Sequence, residues 1–118
     1  MEIRIIESAI SLSEINELAK KQFGNLVKAT VDVQRRIMAI GGELHADEEQ
    51  ILLERGSNQA DLWGINLYPQ KFGKPDFVEY DSMINLRPSQ NNMSKVVENP
   101  AVRKQIQEIV TKLVKGEN

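Results

Sequence analysis

The chain's single histidine lies in residues 41–49, among a glycine pair and the densest run of acids in the sequence. If this segment is extended, Glu43 and His45 point to the same side, because side chains alternate along a strand. A carboxylate beside an imidazole raises the pKa of the imidazole and can form an acid–base pair with it. Two carboxylates and one imidazole also make a workable set of three ligands for a divalent metal. We therefore predict a polar site, with a divalent metal as its candidate cofactor and Glu43, His45 and Asp81 as the candidate metal ligands.

The distribution of charges and the alternation of side chains along the predicted strands add further residues to this site. Residues 41–54 hold five acids and no Lys or Arg, whereas residues 82–97 hold Arg87 and Lys95 and no acid. Two facing segments of opposite sign can make a site. Arg87 and the amide-rich loop after it could hold an anionic ligand by charge-assisted hydrogen bonds. The predicted ligand-binding residues are Glu43, His45, Asn66, Asp81, Asn85, Arg87, Ser89 and Gln90.

These polar residues also have purely structural explanations. Asp47 is a natural helix N-cap, and Glu48 and Glu49 would then suit the positive end of the helix dipole. A histidine near a helix start can make only a structural hydrogen bond. Arg87 can pair with an acid on a solvated face, where such pairs contribute little. The sequence leaves open whether the protein is an enzyme.

The strands that must position these side chains show alternating apolar residues. Residues 26–33 and 62–68 alternate with period two, which predicts two half-buried strands. Residues 37–40 resume the apolar pattern after a polar break at 34–36. We predict a hairpin here, with one long strand through residue 40 as the alternative. Residues 77–87 predict a further strand that pairs with 62–68 as an antiparallel hairpin.

Three helices are predicted by apolar spacing and by end signals. Ser11 and Glu14 form a capping box at the first, Asp47 starts the second, and Pro100 starts the third, whose apolar stripe includes Ile106. With a short strand before the first helix, the order is β-α-β-β-α-β-β-α. An amphipathic helix must bury its stripe, and alternating strands have one apolar face. We therefore predict an α+β fold, a two-layer sandwich with a mainly antiparallel sheet and helices on one face.

The length and composition predict one domain over residues 1–118, with 116–118 as a frayed tail. The chain has no cysteine, which excludes disulfides and thiolate metal sites and fits a reducing compartment. No apolar run reaches the ~18 residues of a membrane span, and the start shows no signal-peptide pattern, so we expect a cytoplasmic protein without a membrane partner. A net charge of −2 argues against nucleic acid as a partner.

Three motifs carry a resemblance to a known family. They are GGELHADEE at 41–49, LWGINLYP at 62–69 and SMINLRPSQ at 82–90. Together, in this order, they resemble a family of small uncharacterised proteins from bacteria and archaea that is known as a domain of unknown function. The resemblance covers about residues 25–115. It implies no activity, cofactor or catalytic residue, so the chemistry must be read from the residues themselves.

Two classes of function remain open from the sequence. The first is a protein that binds a small polar or anionic ligand, or a divalent metal, on a polar sheet face. The second is a protein-interaction module or a homodimer without catalytic activity. Convergence of Glu43, His45 and Asp81 on one point would favour the first class, and an apolar sheet edge would favour the second.

Overall fold

The computed structural model describes residues 2–116. Its helices are α1 (Leu12–Lys21), α2 (His45–Glu54) and α3 (Pro100–Leu113). Its strands are β1 (Arg4–Ile6), β2 (Ile10–Ser11), β3 (Val27–Asp32), β4 (Ile37–Ile40), β5 (Leu62–Leu67), β6 (Val78–Glu79) and β7 (Val114–Lys115). Five strands form one antiparallel sheet in the order β1-β4-β3-β5-β6, and β2 pairs with β7 in parallel. The predicted α+β class with an antiparallel sheet is confirmed.

The β3–β4 hairpin is closed by an aspartate rather than by a glycine or proline. Asp32 Oδ1 accepts hydrogen bonds from the backbone N–H groups of Gln34 and Arg35, both at 2.9 Å. Arg36 completes the turn with a φ of 60°. Short polar side chains can replace the usual turn residues in this way. The predicted hairpin with its break at 34–36 is confirmed, and the alternative of one long strand is wrong.

One face of the sheet carries the main apolar core. The alternate residues Val27, Ala29 and Val31 of β3 pack there with side chains from α1 and α3. The capping box predicted for Ser11 and Glu14 is present at the start of α1. Helix α3 starts at Pro100 as predicted. It buries Ile106, Ile109, Val110 and Leu113, with Val102 half-buried.

The opposite face is covered too, which differs from the predicted two layers with helices on one face. Leu52 of α2 is buried there with Ile37 and Ala39 of β4 and Leu62 of β5. Helix α2 therefore lies across the sheet from α1 and α3. The physical reason is the sequence of β4, Ile-Met-Ala-Ile, which is apolar at every position. Both of its faces need cover.

Two predicted boundaries are wrong. Helix α2 begins at His45 with Leu44 as its N-cap, so Asp47 lies inside the first turn and is not the N-cap. The chain leaves β4 at Gly41, whose φ of +99° favours glycine. Residues 43–45 therefore do not continue that strand.

The strand predicted over 77–87 forms only at Val78–Glu79, where it pairs with β5 in antiparallel fashion as predicted; its predicted extent to residue 87 is wrong. The side chain of Ser82 accepts a hydrogen bond from Ile84 N–H and starts a 3-10 turn at Met83–Asn85. A serine that caps a turn competes in this way with the strand ladder. Of the tail predicted to fray, residues 117 and 118 lie outside the described part of the chain. Within residues 2–116, no helix is long and apolar enough to cross a membrane.

Candidate functional site

An open groove of about 590 Å³ lies where α2, the sheet and the segment 81–95 meet; we call it the His45 groove. Its polar lining residues are Lys28, His45, Asn66, Asp81, Ser82 and Lys95. Its apolar lining residues are Phe23, Leu26, Leu44, Ala46, Met83 and Ile84. The groove opens on the sheet face that carries α2. Lys28 of β3 lies on this face with Thr30, which contacts Glu48 of α2, and Asn66 of β5 is the register partner of Lys28.

His45 is the first residue of α2, and its imidazole lies against β5. Its Nε2 is 2.7 Å from the carbonyl oxygen of Ile65. Since a carbonyl only accepts, this geometry assigns the proton to Nε2, which donates. Burial lowers the pKa of His45; the hydrogen bond to Ile65 opposes this shift, and the charge of Lys28 adds to it. The imidazole is therefore neutral near pH 7, and its Nδ1 is an acceptor.

Asn66 forms the floor of the groove and is only 8 % exposed. Its Nδ2 donates to Glu79 Oε1 at 2.9 Å and to the carbonyl oxygen of Asp81 at 3.2 Å. Both partners are acceptors, so the orientation of the amide is settled. Its Oδ1 faces away from these partners and is enclosed by protein, where no donor among the described residues meets full hydrogen-bond geometry. A hydrogen-bond interaction between Asn66 and His45 raises the pKa of the imidazole, so these two polar side chains meet.

Charged groups of both signs line the groove. Within residues 2–116, Lys28, Asp81 and Lys95 form no ion pair. The ammonium of Lys28 lies 5.2 Å from the ring centre of Phe23. Lys28 and Asp81 both act on the charge of His45, in opposite directions, which places both near the imidazole.

Helix α2 is held on the sheet by a buried acid. Glu48 is fully buried; Thr30 Oγ1 lies 3.0 Å from its Oε1, and Gly42 N–H donates to its Oε2 at 2.9 Å. Burial raises the pKa of Glu48 well above its ordinary value, against the effect of both hydrogen bonds. A Cβ at Gly42 would lie 2.9 Å from Glu48 Cγ, so the second glycine of the pair allows this close approach. The buried acid positions the helix that carries His45.

The other wall of the groove is anchored on the free edge of β5. Gly64 N–H donates to Asn85 Oδ1 at 2.8 Å, and Asn85 Nδ2 donates to Gly64 O at 3.0 Å. The carboxamide thus completes the strand edge as a backbone amide would. A Cβ at Gly64 would come within 2.5 Å of Ser82 Cβ and 3.1 Å of His45 Cδ2. Glycine at this position therefore lets both walls of the groove reach the sheet.

Arg87 fastens the same segment to the chain before β5. Its guanidinium donates to the carbonyl oxygens of Gln59, Leu62 and Ile84 and to Oε1 of Gln90. It also lies over the ring of Trp63, 4.4 Å from its centre. A planar donor with many N–H groups suits several carbonyls at once.

The structure brings only some of the predicted site residues together. His45, Asn66 and Asp81 share the His45 groove, whereas Asn85 binds the backbone at the β5 edge and Arg87 and Gln90 bind the backbone of the turn before β5. Ser89 is exposed in the turn Pro88–Gln90, and Glu43 lines a separate groove beside Gln22 and Gly41. Ligand binding by these four more distant residues and by Glu43 stays a prediction.

The predicted metal ligands do not form a cluster. No three His, Cys, Asp or Glu side chains within residues 2–116 are disposed to hold a metal ion. The parity that grouped Glu43 with His45 required an extended segment, and His45 instead starts a helix. The parity of Asp81 required a strand through 87, which ends at Glu79.

Several groove residues were missed from the sequence. Lys28 had a usable signal, since it shares a strand face with Thr30 in the period-two pattern. Ser82 and Lys95 had none, because their placement depends on how the irregular segment 81–95 folds back over β5. Glu48 is explained from sequence as a first-turn acid, but the structure buries it under the helix.

The groove supports binding better than nucleophilic catalysis. Nε2 of His45 is engaged by the Ile65 carbonyl, and the hydroxyl of Ser82 caps the turn at Met83–Asn85. Within the described residues no hydrogen bond joins these two side chains. A base must reach the proton that it abstracts, and this imidazole is directed at the sheet instead.

Comparison with known proteins finds one family. A family model described as "Protein of unknown function (DUF5674)" matches residues 4–113. No curated protein matches the chain. No solved structure matches it either.

Proposed function

This chain belongs to the DUF5674 family, whose description assigns no activity, and we propose from its geometry that it binds a small polar organic molecule in the His45 groove. One observation carries the proposal. The nearly buried side chains of Asn66 and His45, 8 % and 7 % exposed, line one groove together with Lys28, Asp81 and Lys95, which form no ion pair within residues 2–116. A concave site with a few convergent polar groups and an apolar rim is the usual form of a small-molecule site.

The surrounding framework supports a preformed site. The walls are held by the buried Glu48 under α2 and by the Asn85 amide on β5. Side chains held by such buried hydrogen bonds lose little freedom when a ligand arrives. This lowers the cost of binding.

The test is an amide NMR titration with four named probes: L-leucine, 4-methylpentanoate, 3-methylbutylamine and adenosine. We expect at least one probe to shift the amides of residues 44–46, 66 and 81–84 with a Kd in about the millimolar range or tighter. Ala46 is exposed at the second position of α2 and lines the groove. Ala46→Trp should block the groove and weaken binding at least about tenfold.

The chain offers a matched control. Ala101 is exposed at the second position of α3, so Ala101→Trp places the same side chain at the same helical position away from the groove. It should bind as the wild type does. If none of the four probes shifts the groove amides at about 10 mM, or if Ala46→Trp binds normally, the proposal fails.

A second function is favoured by the rim of the groove. Met83 is 69 % exposed, Leu44 56 % and Phe23 42 %, and exposed apolar side chains around a polar groove are a feature of protein-interaction sites. On this alternative the protein is an interaction module or a homodimer. Self-association through the rim would move the Leu44 and Met83 amide signals on dilution of the protein alone. The small-molecule function expects no such change.

A further inference from the structure

The His45 groove contains charges of both signs that do not pair with one another. Asp81 and Lys95 both line it, and Lys28 stands opposite Asn66 across the β3–β5 pair. Within residues 2–116 none of the three charges is in an ion pair. Opposite charges that line one groove without meeting can each be neutralised by a ligand that carries both signs itself.

The acceptor side of the groove calls for N–H donors. Asp81 is half-buried and contributes a carboxylate to the groove. A carboxylate accepts hydrogen bonds and cannot donate them. A simple anion would be repelled here, so the acceptor side selects an amine or another N–H-rich group.

The donor side calls for an anionic group. Lys28 and Lys95 are cations, and α2 begins at the groove with Leu44, His45 and Ala46 among the lining residues. The N–H groups of His45 and Ala46 have no carbonyl partner inside the helix, and Leu44 provides no side-chain cap. Such a helix start attracts a carboxylate through its N–H groups and its dipole.

The rim specifies the rest of the ligand. Leu26 and Ile84 are half-buried, and Phe23, Leu44 and Met83 are exposed, all along one groove. An apolar side chain placed against them would remove apolar surface of both partners from water. A volume of about 590 Å³ has room for an amino acid and for a short peptide end.

Resting on the proposed small-molecule function, we propose that the ligand is a compact zwitterion with an apolar side chain, of the α-amino acid class. Its ammonium binds Asp81, its carboxylate binds Lys95, Lys28 and the start of α2, and its side chain contacts Leu44 and Met83. The two charged ends account for the unpaired groups on both sides of the groove. The apolar side chain accounts for the rim.

The test compares L-leucine with two molecules that each lack one of its charged ends. 4-Methylpentanoate lacks the amine, and 3-methylbutylamine lacks the carboxylate. Each missing end removes charge-assisted hydrogen bonds, so both fragments should bind the wild-type groove about 10- to 100-fold more weakly than leucine. Glycine, which lacks the side chain, should also bind more weakly.

Two variants test the two charged ends of the ligand separately. Asp81→Asn should weaken leucine binding about tenfold or more and should not weaken binding of 4-methylpentanoate, because that fragment has no amine to lose. Lys95→Gln should weaken binding of leucine and 4-methylpentanoate and should not weaken binding of 3-methylbutylamine. Asp76→Asn and Lys104→Gln make the same replacements at exposed positions outside the groove and serve as controls.

The outcomes distinguish this inference from the function on which it rests. If adenosine or 4-methylpentanoate shifts the groove amides as strongly as leucine or more strongly, the zwitterion is overturned and small-molecule binding stands. If no probe binds, both are overturned. The comparison of leucine with its fragments uses the wild-type protein, so it decides the question even if a variant fails to fold.

Discussion

The two faces of the central sheet are stabilised in different ways. On the face covered by α1 and α3, the strands present aliphatic side chains such as Val27, Ala29 and Val31, all fully buried. On the face covered by α2 and the segment 81–95, the same strands present Thr30 and Asp32, which are equally buried. The first face depends on apolar burial. The second depends on satisfying each polar group with a specific partner.

This difference explains where the groove lies. An apolar face can be covered by any helix with a suitable apolar stripe, as α1 and α3 cover theirs. A polar face needs a matching donor or acceptor at each position. Beside Asn66, helix α2 and the segment 81–95 do not meet, and the groove between them is lined by charges that form no ion pair within residues 2–116.

The largest effect is expected on the apolar face. Ile106 of α3 is fully buried, so Ile106→Ala should lower the free energy of unfolding by about 2–5 kcal/mol through lost transfer energy and a cavity. Denaturant unfolding measures this, with the exposed Lys104→Ala on the same helix as the control. A stability equal to the wild type would mean that this face does not hold the fold together.

A smaller effect, with a different signature, is expected on the polar face. Asn85→Ala leaves the N–H and carbonyl of Gly64 without partners, which should cost about 1–3 kcal/mol. Hydrogen exchange at the Gly64 amide should accelerate in this variant, because its acceptor is gone. Ser89→Ala, at an exposed position of the next turn, should change neither quantity. Unchanged exchange at Gly64 would contradict the role given to the Asn85 amide.

The smallest effect depends on pH and concerns Glu48. Its pKa in the folded protein is raised by burial, so the folded state binds the proton more tightly than the unfolded state. The stability from the neutral acid is complete below the unfolded pKa of about 4.5 and is lost as the pH rises toward the folded pKa. In that window the stability should fall by at most about 1.4 kcal/mol per pH unit.

Glu48→Gln removes this titration and keeps both hydrogen-bonding positions. The free energy of unfolding of the variant should increase relative to that of the wild type as the pH rises above about 4.5. Denaturant unfolding at several pH values measures this difference. Glu54→Gln, an exposed change on the same helix, should follow the wild type at every pH. If the free energies of unfolding of Glu48→Gln and wild type change with pH in parallel, a buried neutral acid under α2 is ruled out.

Sequence patterns were most informative where one local rule decides the structure. The capping box of Ser11 and Glu14, the apolar stripe around Ile106 and the alternation in β3 each involve neighbours within a few residues, and all three are present. Of the predicted site residues, His45, Asn66 and Asp81 line one groove, and their role in binding stays a prediction. The strand alternation that grouped them holds for Asn66 and fails for the other two.

The failures share a cause. Ser82 starts a 3-10 turn where alternation predicted more strand, and Leu44 caps α2 where Asp47 was expected. Both sites are decided by contacts distant in sequence. Asn85 pairs with Gly64 across 21 positions, and Glu48 binds Gly42 and Thr30 beneath the helix. Local propensity is a weak guide when such contacts compete with it.

By itself, then, the sequence determined the helix ends that carry their own caps, the alternating strands, the α+β class and three of the residues in the groove. The tertiary structure alone decided that α2 crosses to the second face, that Glu48 is buried there, and that Lys28 and Lys95 join His45 in one groove. Caps and alternation are settled by neighbours a few residues apart. The cover of a polar sheet face is settled by which distant side chain supplies each missing donor or acceptor, and no local pattern records that pairing.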